Sequence, residues 1–261
     1  MILFKLFLLF SLFSLSFSLD HNLNSHHRVF PRPLILDYPE LEEEVRLRCG
    51  GWRLAAEANN LTPWKTVPEE CAEHVKEYMT GKGYVYDLEM VSKEAGEYAK
   101  SVELGDDGKD AWIFDIDETL LSNLPYYAAH GYGLEVFDHG KFDGWVEKGV
   151  APAIEPSLKL YEDVLNRGFK VILLTGRAER HRSITVDNLI NAGIRDWHQL
   201  ILRSSDDHGK LAVIYKSEKR SEMEKDGYRI HGNSGDQWSD LLGSSVSVRS
   251  FKLPNPMYYI S

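Results

Sequence analysis

Apolar and polar positions along the chain fall into two regimes. Short continuous apolar runs, closed off by glycine or charge, read as strands buried on both faces, as in parallel sheets. Between them lie longer stretches with apolar residues at helical spacing. The runs at 111–114, 169–174, 198–202, 228–231 and 246–251 predict five strands. Helices are expected over 156–166, 179–191 and 214–225, stopped by Gly168, Gly193 and Gly227. Strands alternating with helices define the α/β class, here a doubly wound, mostly parallel sheet.

Residues 37–104 predict a helical N-terminal lead-in. Over 68–79, Thr66 precedes Pro68, and Glu69 and Glu70 occupy the first turn, as helix starts require. Over 84–102, Tyr86, Met90, Ala95 and Tyr98 are expected on one face, packed on the core. Gly105-Asp106-Asp107-Gly108 then breaks the chain before the central strand. Residues 122–156 form an irregular stretch too long for an ordinary loop. It carries Tyr126, Tyr127, Tyr132, Phe137, Phe142 and Trp145, where a small lid over a site would be inserted.

Residues 1–18 stand apart from this pattern. Lys5 is their one charge, 6–15 is apolar apart from serines, and Ser16-Phe17-Ser18 supplies small residues at cleavage spacing. That is a secretory signal peptide. The expected division is therefore 1–18 as leader, 19–104 as extension and lead-in, and 105–261 as core with the lid at about 122–156. No other stretch is long and apolar enough to span a bilayer. His21, His26 and His27 belong to an expected mobile terminus rather than to a metal site. The formal charge of -10 argues against nucleic-acid binding by general electrostatics.

Secretion changes the reading of Cys49 and Cys71, the only two cysteines. An even pair in an oxidising compartment predicts a disulfide, which the chain-entropy model credits with roughly 3 kcal/mol. Two free buried thiols are the alternative. Asn60-Leu61-Thr62 is the one glycosylation sequon, and Pro63 directly after it should lower its use.

The chemistry gathers at strand ends. Asp115 and Asp117 follow the run 111–114, at the carboxyl mouth where open α/β sheets build their sites. Two acids there repel one another unless a cation lies between them. Asp-x-Asp-x-Thr is thus a candidate magnesium and phosphate site; the plainer reading is a polar turn with Asp117 or Thr119 as helix cap. Thr175 and Gly176 follow the second strand and open a helix, a place suited to phosphate. Lys210, Lys216 and Lys219 come later, and Asp236 and Asp240 follow the fourth strand. A carboxylate that attacks phosphorus, a hydroxyl, a lysine and further acids for magnesium make up aspartyl-phosphate chemistry.

With these residues the chain resembles the haloacid dehalogenase (HAD) superfamily, and within it the plant acid phosphatases and vegetative storage proteins. The residues concerned are Phe114-Asp115-Ile116-Asp117-Glu118-Thr119, Leu174-Thr175-Gly176-Arg177, Tyr215-Lys216-Ser217, and the run from Gly232 through Asp236 to Asp240. The resemblance implies Asp115 as nucleophile and magnesium ligand. It implies Asp117 as general acid and base, with its backbone carbonyl on the metal. Thr175, Gly176 and Lys216 would hold the phosphoryl group. Asp236 would ligate Mg2+ directly, and Asp240 through water or as support. Glu118 is expected to be structural, and Arg177 to touch substrate or pair with an acid.

The resemblance admits two functions: a secreted, Mg2+-dependent acid phosphatase, or a storage protein with a vestigial site. Some storage members carry serine at the nucleophile position, whereas Asp115 is kept here. A phosphotransferase would need a means of excluding water, and no residue pattern supplies one. Small phosphomonoesters are the expected partners, with room left for a homodimer. The expected location is the cell wall or the vacuole.

Overall fold

The structure is a computed structural model that describes residues 41–61 and 63–261. The expected leader and the three early histidines lie outside the described residues. A lead-in of three helices, α1 (Leu41–Glu57), α2 (Ala72–Thr80) and α3 (Lys82–Ser101), precedes the sheet. Cys49 on α1 and Cys71 in the turn before α2 are joined by a disulfide, with Cα atoms 5.2 Å apart. The end of α1 is fastened forward: the Glu57 carbonyl accepts from Trp238 Nε1, and its carboxylate pairs with Lys252.

The sheet has five parallel strands in the order β3-β2-β1-β4-β5. They are β1 (Asp110–Phe114), β2 (Lys170–Ala178), β3 (Gln199–Arg203), β4 (Arg229–Gly235) and β5 (Arg249–Lys252). β1 is central, flanked by β2 and β4 and buried at all five residues. Its period of two sends Trp112 and Phe114 into one core and Ala111 and Ile113 into the other. α3, α6 (Glu155–Asn166) and α7 (Arg182–Asn191) contribute to the first core. α8 (Ala212–Lys225) supplies Tyr215 and Met223 to the second. Helices on both faces make the fold doubly wound, as the alternation predicted. Successive strands run one way from β1 to β3 and the other way through β4 and β5. The crevice at the switch therefore opens beside the carboxyl ends of β1 and β4.

Three expectations need correction. Tyr86 and Met90 are not packed on the core; they are 57% and 69% exposed. Ala95 lies nine residues beyond Tyr86, about two and a half helical turns, and so on the opposite side. The buried face of α3 is Tyr84, Leu88, Ser92, Ala95, Gly96 and Ala99. Residues 122–156 are not irregular, since they hold α4 (Leu124–Ala129) and α5 (His139–Val146). Asp138 caps α5 by accepting from Lys141 N. Tyr126 and Tyr127 join a further core with Tyr78, Tyr84, Leu253 and Met257. Lastly, β2 and β4 run past their expected ends, through Thr175-Gly176-Arg177 and through Gly232 to Gly235. Glycine is needed in β4 because a Cβ at Gly232 would lie 2.4 Å from the Trp112 ring.

Candidate active site

The acidic motif begins where β1 stops. Asp115 N still donates to Ser234 O of β4, at 3.0 Å. The chain then folds back: Thr119, Leu120 and Leu121 all direct their N–H groups at Ile116 O. Glu118 takes a left-handed conformation, φ 55°, to close this turn. Its buried carboxyl accepts from Asn123 N, and Tyr84 OH lies 3.5 Å away. Glu118 thus serves the turn, as expected.

Four other elements deliver the rest. Lys216 on α8 is buried, and its Nζ donates to Asp115 Oδ1 at 2.5 Å and to Asp240 Oδ1. Lys210 and Lys219 pair instead with Asp207, Glu218 and Glu222. Only Lys216 among these three reaches the acidic cluster. Asp236 follows β4, and Asp240 lies in α9 (Trp238–Leu241). Asp240 Oδ2 accepts from Gln237 N, closing a capping box at the start of this short helix. Ligand oxygens of Asp115, Asp236 and Asp240 lie within 4.8 Å of one another, and all three side chains are buried. Thr175 sits one residue beyond the β2 position level with Asp115, since Phe114 pairs with Leu173. Thr175 is fully buried and its Oγ1 accepts from Arg177 N. A side chain added at Gly176 would meet nothing within 4 Å, so the backbone there borders open space.

Charge is unevenly balanced across the cluster. Burial pushes the Asp115 carboxyl well above the usual range; Lys216 opposes this, while Asp240, Asp236 and Asp117 reinforce it. Burial and the neighbouring Asp240 push Asp236 up to about 7. Lys216 loses by burial but gains more from Asp115 and Asp240, so its ammonium is held above the ordinary lysine value. One lysine thus faces several crowded carboxylates, and a hard cation with oxygen ligands fits the remaining charge.

Asp117 differs. Burial would raise its pKa, but the Arg177 guanidinium outweighs that and holds it below the ordinary value. Arg177 Nε and Nη2 both reach the Asp117 carboxylate, at 3.1 and 2.8 Å. Arg177 therefore pairs with an acid, one of the two roles foreseen for it. Two contacts that sequence reasoning missed complete the hold. Asn123 Nδ2 donates to Asp117 Oδ1 at 2.9 Å, and Trp145 Nε1 on α5 donates to Asn123 Oδ1 at 2.8 Å. Asn255 and Gln237, which carried no assignment, both donate to Asp236. The disulfide belongs to the lead-in, where it joins α1 to the turn before α2. Asn60 is exposed just past α1, while Thr62 of its sequon lies outside the described residues.

A buried aspartate at the mouth of a central parallel strand, with a lysine and two further acids from later elements, places the molecule among HAD-type phosphatases. A model described as HAD superfamily, subfamily IIIB (acid phosphatase) matches residues 37–261. The chain belongs to this family. It is 70% identical over 239 residues to "Acid phosphatase 1" of Solanum lycopersicum, covering 92% of this chain and 93% of that protein. It is 42% identical over 228 residues to "Vegetative storage protein 2" of Arabidopsis thaliana, covering 85% of each. The class C acid phosphatase of Bacillus anthracis shares the fold, with a TM-score of 0.59 at 22% identity over 72% of this chain and 84% of that one. Family membership carries metal-dependent catalysis with it, and the three buried aspartates are a set that could hold the ion.

Proposed function

We propose that the chain is a Mg2+-dependent acid phosphatase that hydrolyses small phosphomonoesters through an aspartyl phosphate, an acyl phosphate formed on Asp115. The observation that carries this reading is Asp115 itself: buried at the end of β1, held by Lys216, and within 4.8 Å of the Asp236 and Asp240 oxygens. Mg2+ would be held by Asp115, Asp236 and the Asp117 carbonyl, with Asp240 in support, and would neutralise charge on the phosphoryl oxygens. Both Asp240 oxygens already accept hydrogen bonds, which favours its supporting role.

In the first half-reaction an Asp115 oxygen attacks phosphorus and the bond from phosphorus to the leaving oxygen breaks. Lys216, the Thr175 hydroxyl and the Gly176 backbone receive the phosphoryl oxygens. Asp117 gives its proton to the leaving oxygen, then takes one from the water that attacks the phosphorylated Asp115. The bond between phosphorus and the Asp115 oxygen breaks, and phosphate departs. Arg177 and Asn123 hold the Asp117 carboxylate in place for both transfers. Because Arg177 lowers the Asp117 pKa, an acidic medium would favour loading the proton for the first half. This suits an extracellular or vacuolar setting, as do the disulfide and the leader.

Tyr126, Tyr127, His130, Phe137 and Tyr258 line a pocket along the insertion. These rings would receive the leaving group. The retained nucleophile favours an enzyme over a vestigial site. The test is phosphate release from an aryl phosphate by metal-free protein, with and without added Mg2+. Turnover that needs Mg2+ is expected, and equal rates in excess chelator would refute the metal's role.

A further inference from the structure

Asp236 is served unequally by its neighbours. Its Oδ2 accepts from Asn255 Nδ2 at 2.7 Å and from Gln237 Nε2 at 2.7 Å. The hydrogen bond recorded at Oδ1 comes from the Thr119 hydroxyl, at a long 3.4 Å. Two amide donors on one oxygen fix the plane of the carboxylate and leave the other oxygen's lone pairs largely uncommitted. A cation site needs this of a buried ligand, and such outer partners are known to orient ligating groups.

The orientation of both amides is settled by the segment that follows β5. Met257 N donates to Asn255 Oδ1 at 3.0 Å, so the Asn255 NH2 must face Asp236. Ile260 N donates to Gln237 Oε1 at 2.9 Å, and Gln237 Nε2 also reaches Tyr258 O. Leu253 N holds the start of the segment to Gly235 O, beside Asp236. Asn255, Gln237 and Asp236 are all buried, so water does not compete for these bonds.

We propose that Asn255 is a positioning residue for the cation site. Together with Gln237 it aims Asp236, and residues 255–260 act as the strap that aims the two amides. This rests on the reading of Asp236 as a Mg2+ ligand. An alternative is that the amides only satisfy a buried acid, a structural role. The two differ in what a lost amide changes: ion affinity in the first case, stability alone in the second.

The test is calorimetric titration of Mg2+ into the metal-free protein, for wild type, Asn255→Ala and Leu253→Ala. Leu253 precedes this strap, its side chain is buried in the core with Tyr78 and Met257, and it makes no hydrogen bond to Asp236. Asn255→Ala is expected to weaken Mg2+ binding about 10- to 100-fold, as lost outer-shell partners do. Leu253→Ala is expected to lower the melting temperature yet keep the Mg2+ Kd within about twofold of wild type. If Asn255→Ala does not fold, Asn255→Ser, whose hydroxyl is too short to reach Asp236, is titrated with the same expectation. An unchanged Kd in the Asn255 variant, or equal weakening by Leu253→Ala, would overturn the inference. Wild type that takes up no Mg2+ would instead remove the metal reading, and the inference with it.

Discussion

Asp115 and Asp117 are two residues apart and live in opposite electrostatic surroundings. Asp115 shares an ammonium with Asp240 and is crowded by like charge, whereas Asp117 has a guanidinium to itself. Without a cation these surroundings raise the pKa of the carboxyl proposed as nucleophile and lower that of the one proposed as acid. The ion that Asp115, Asp236 and Asp240 could hold would be what returns Asp115 to its charged form. Asp115→Asn is expected to cut turnover by on the order of 10^4-fold or more. The circular dichroism spectrum should stay unchanged, and near-normal rates would move the attack elsewhere. Asp117→Asn should slow alkyl phosphates far more than activated aryl phosphates, whose leaving oxygen needs little protonation. Rates measured across a leaving-group series check this; a wild-type ratio would remove Asp117 as the acid. Asp115, Asp117 and Asp236 were legible because they sit in short motifs at strand ends. Asn123, Trp145 and Asn255 were not. Each acts on a site residue through a contact made only after folding, and an isolated Asn or Trp looks the same whether or not it has one.

At the scale of elements, the insertion does more than cover a loop. α5 sends Trp145 to Asn123, and so reaches Asp117, while Tyr127 of α4 stacks on Tyr258 at 5.0 Å. Tyr126 packs edge-on against Tyr127 and Phe142. If this aromatic wall receives the leaving group, Tyr126→Ala and Tyr127→Ala should raise KM more for aryl than for alkyl phosphates. A difference of several-fold is expected, since ring contacts contribute about 0.5–1.5 kcal/mol. Equal effects on both substrate types would return the rings to a purely packing role. β1 and β2 were readable as continuous apolar runs because both faces are buried, whereas β3 and β5 at the sheet edges are partly exposed and carry a weaker signal. The ends of β2 and β4 were not, since Thr-Gly-Arg and Gly-Asn-Ser-Gly look like loop. Neighbouring strands, not propensity, extend them. The rotation of α3 was misjudged because Tyr86 and Met90 are apolar yet solvent-facing, which is common on helices.

For the molecule as a whole, two devices suit an acidic, oxidising setting. The disulfide spans 22 positions and ties α1 to the turn before α2. Replacing both cysteines by serine should cost about 2–4 kcal/mol in denaturant unfolding while phosphatase activity survives. Two alkylatable thiols in the unreduced protein would contradict this. The second device is a set of strongly paired acids away from the site. Asp110 accepts from Arg229, His231 and Gly105 N, and the Arg229 bond leads in holding it far below the ordinary carboxylate value. Asp207 is lowered to about 2, chiefly by its hydrogen bond from Lys210. A carboxyl depressed in the folded state stabilises it above the unfolded pKa of about 4, and that contribution is lost as pH falls toward the folded value. The contribution of these two acids to the melting temperature is therefore expected to hold down to about pH 4 and to be lost between about pH 4 and 2. Asp110→Asn should blunt that loss; an unaltered profile would remove Asp110 from the account.

The strand order carries a consequence for biosynthesis. β1 lies between β2 and β4, and β4 begins at Arg229, long after β1 has left the ribosome. β1, with Asp115 at its end, thus stays half-paired until most of the chain exists, and pairing at such separation closes slowly. Asp236, Asp240 and Asn255 arrive later still. A nascent chain, or one cut before β4, holds Asp115 with neither its acidic companions nor their strap. On the proposed mechanism, catalysis is thereby deferred until the polypeptide is all but finished, and partial products stay chemically silent.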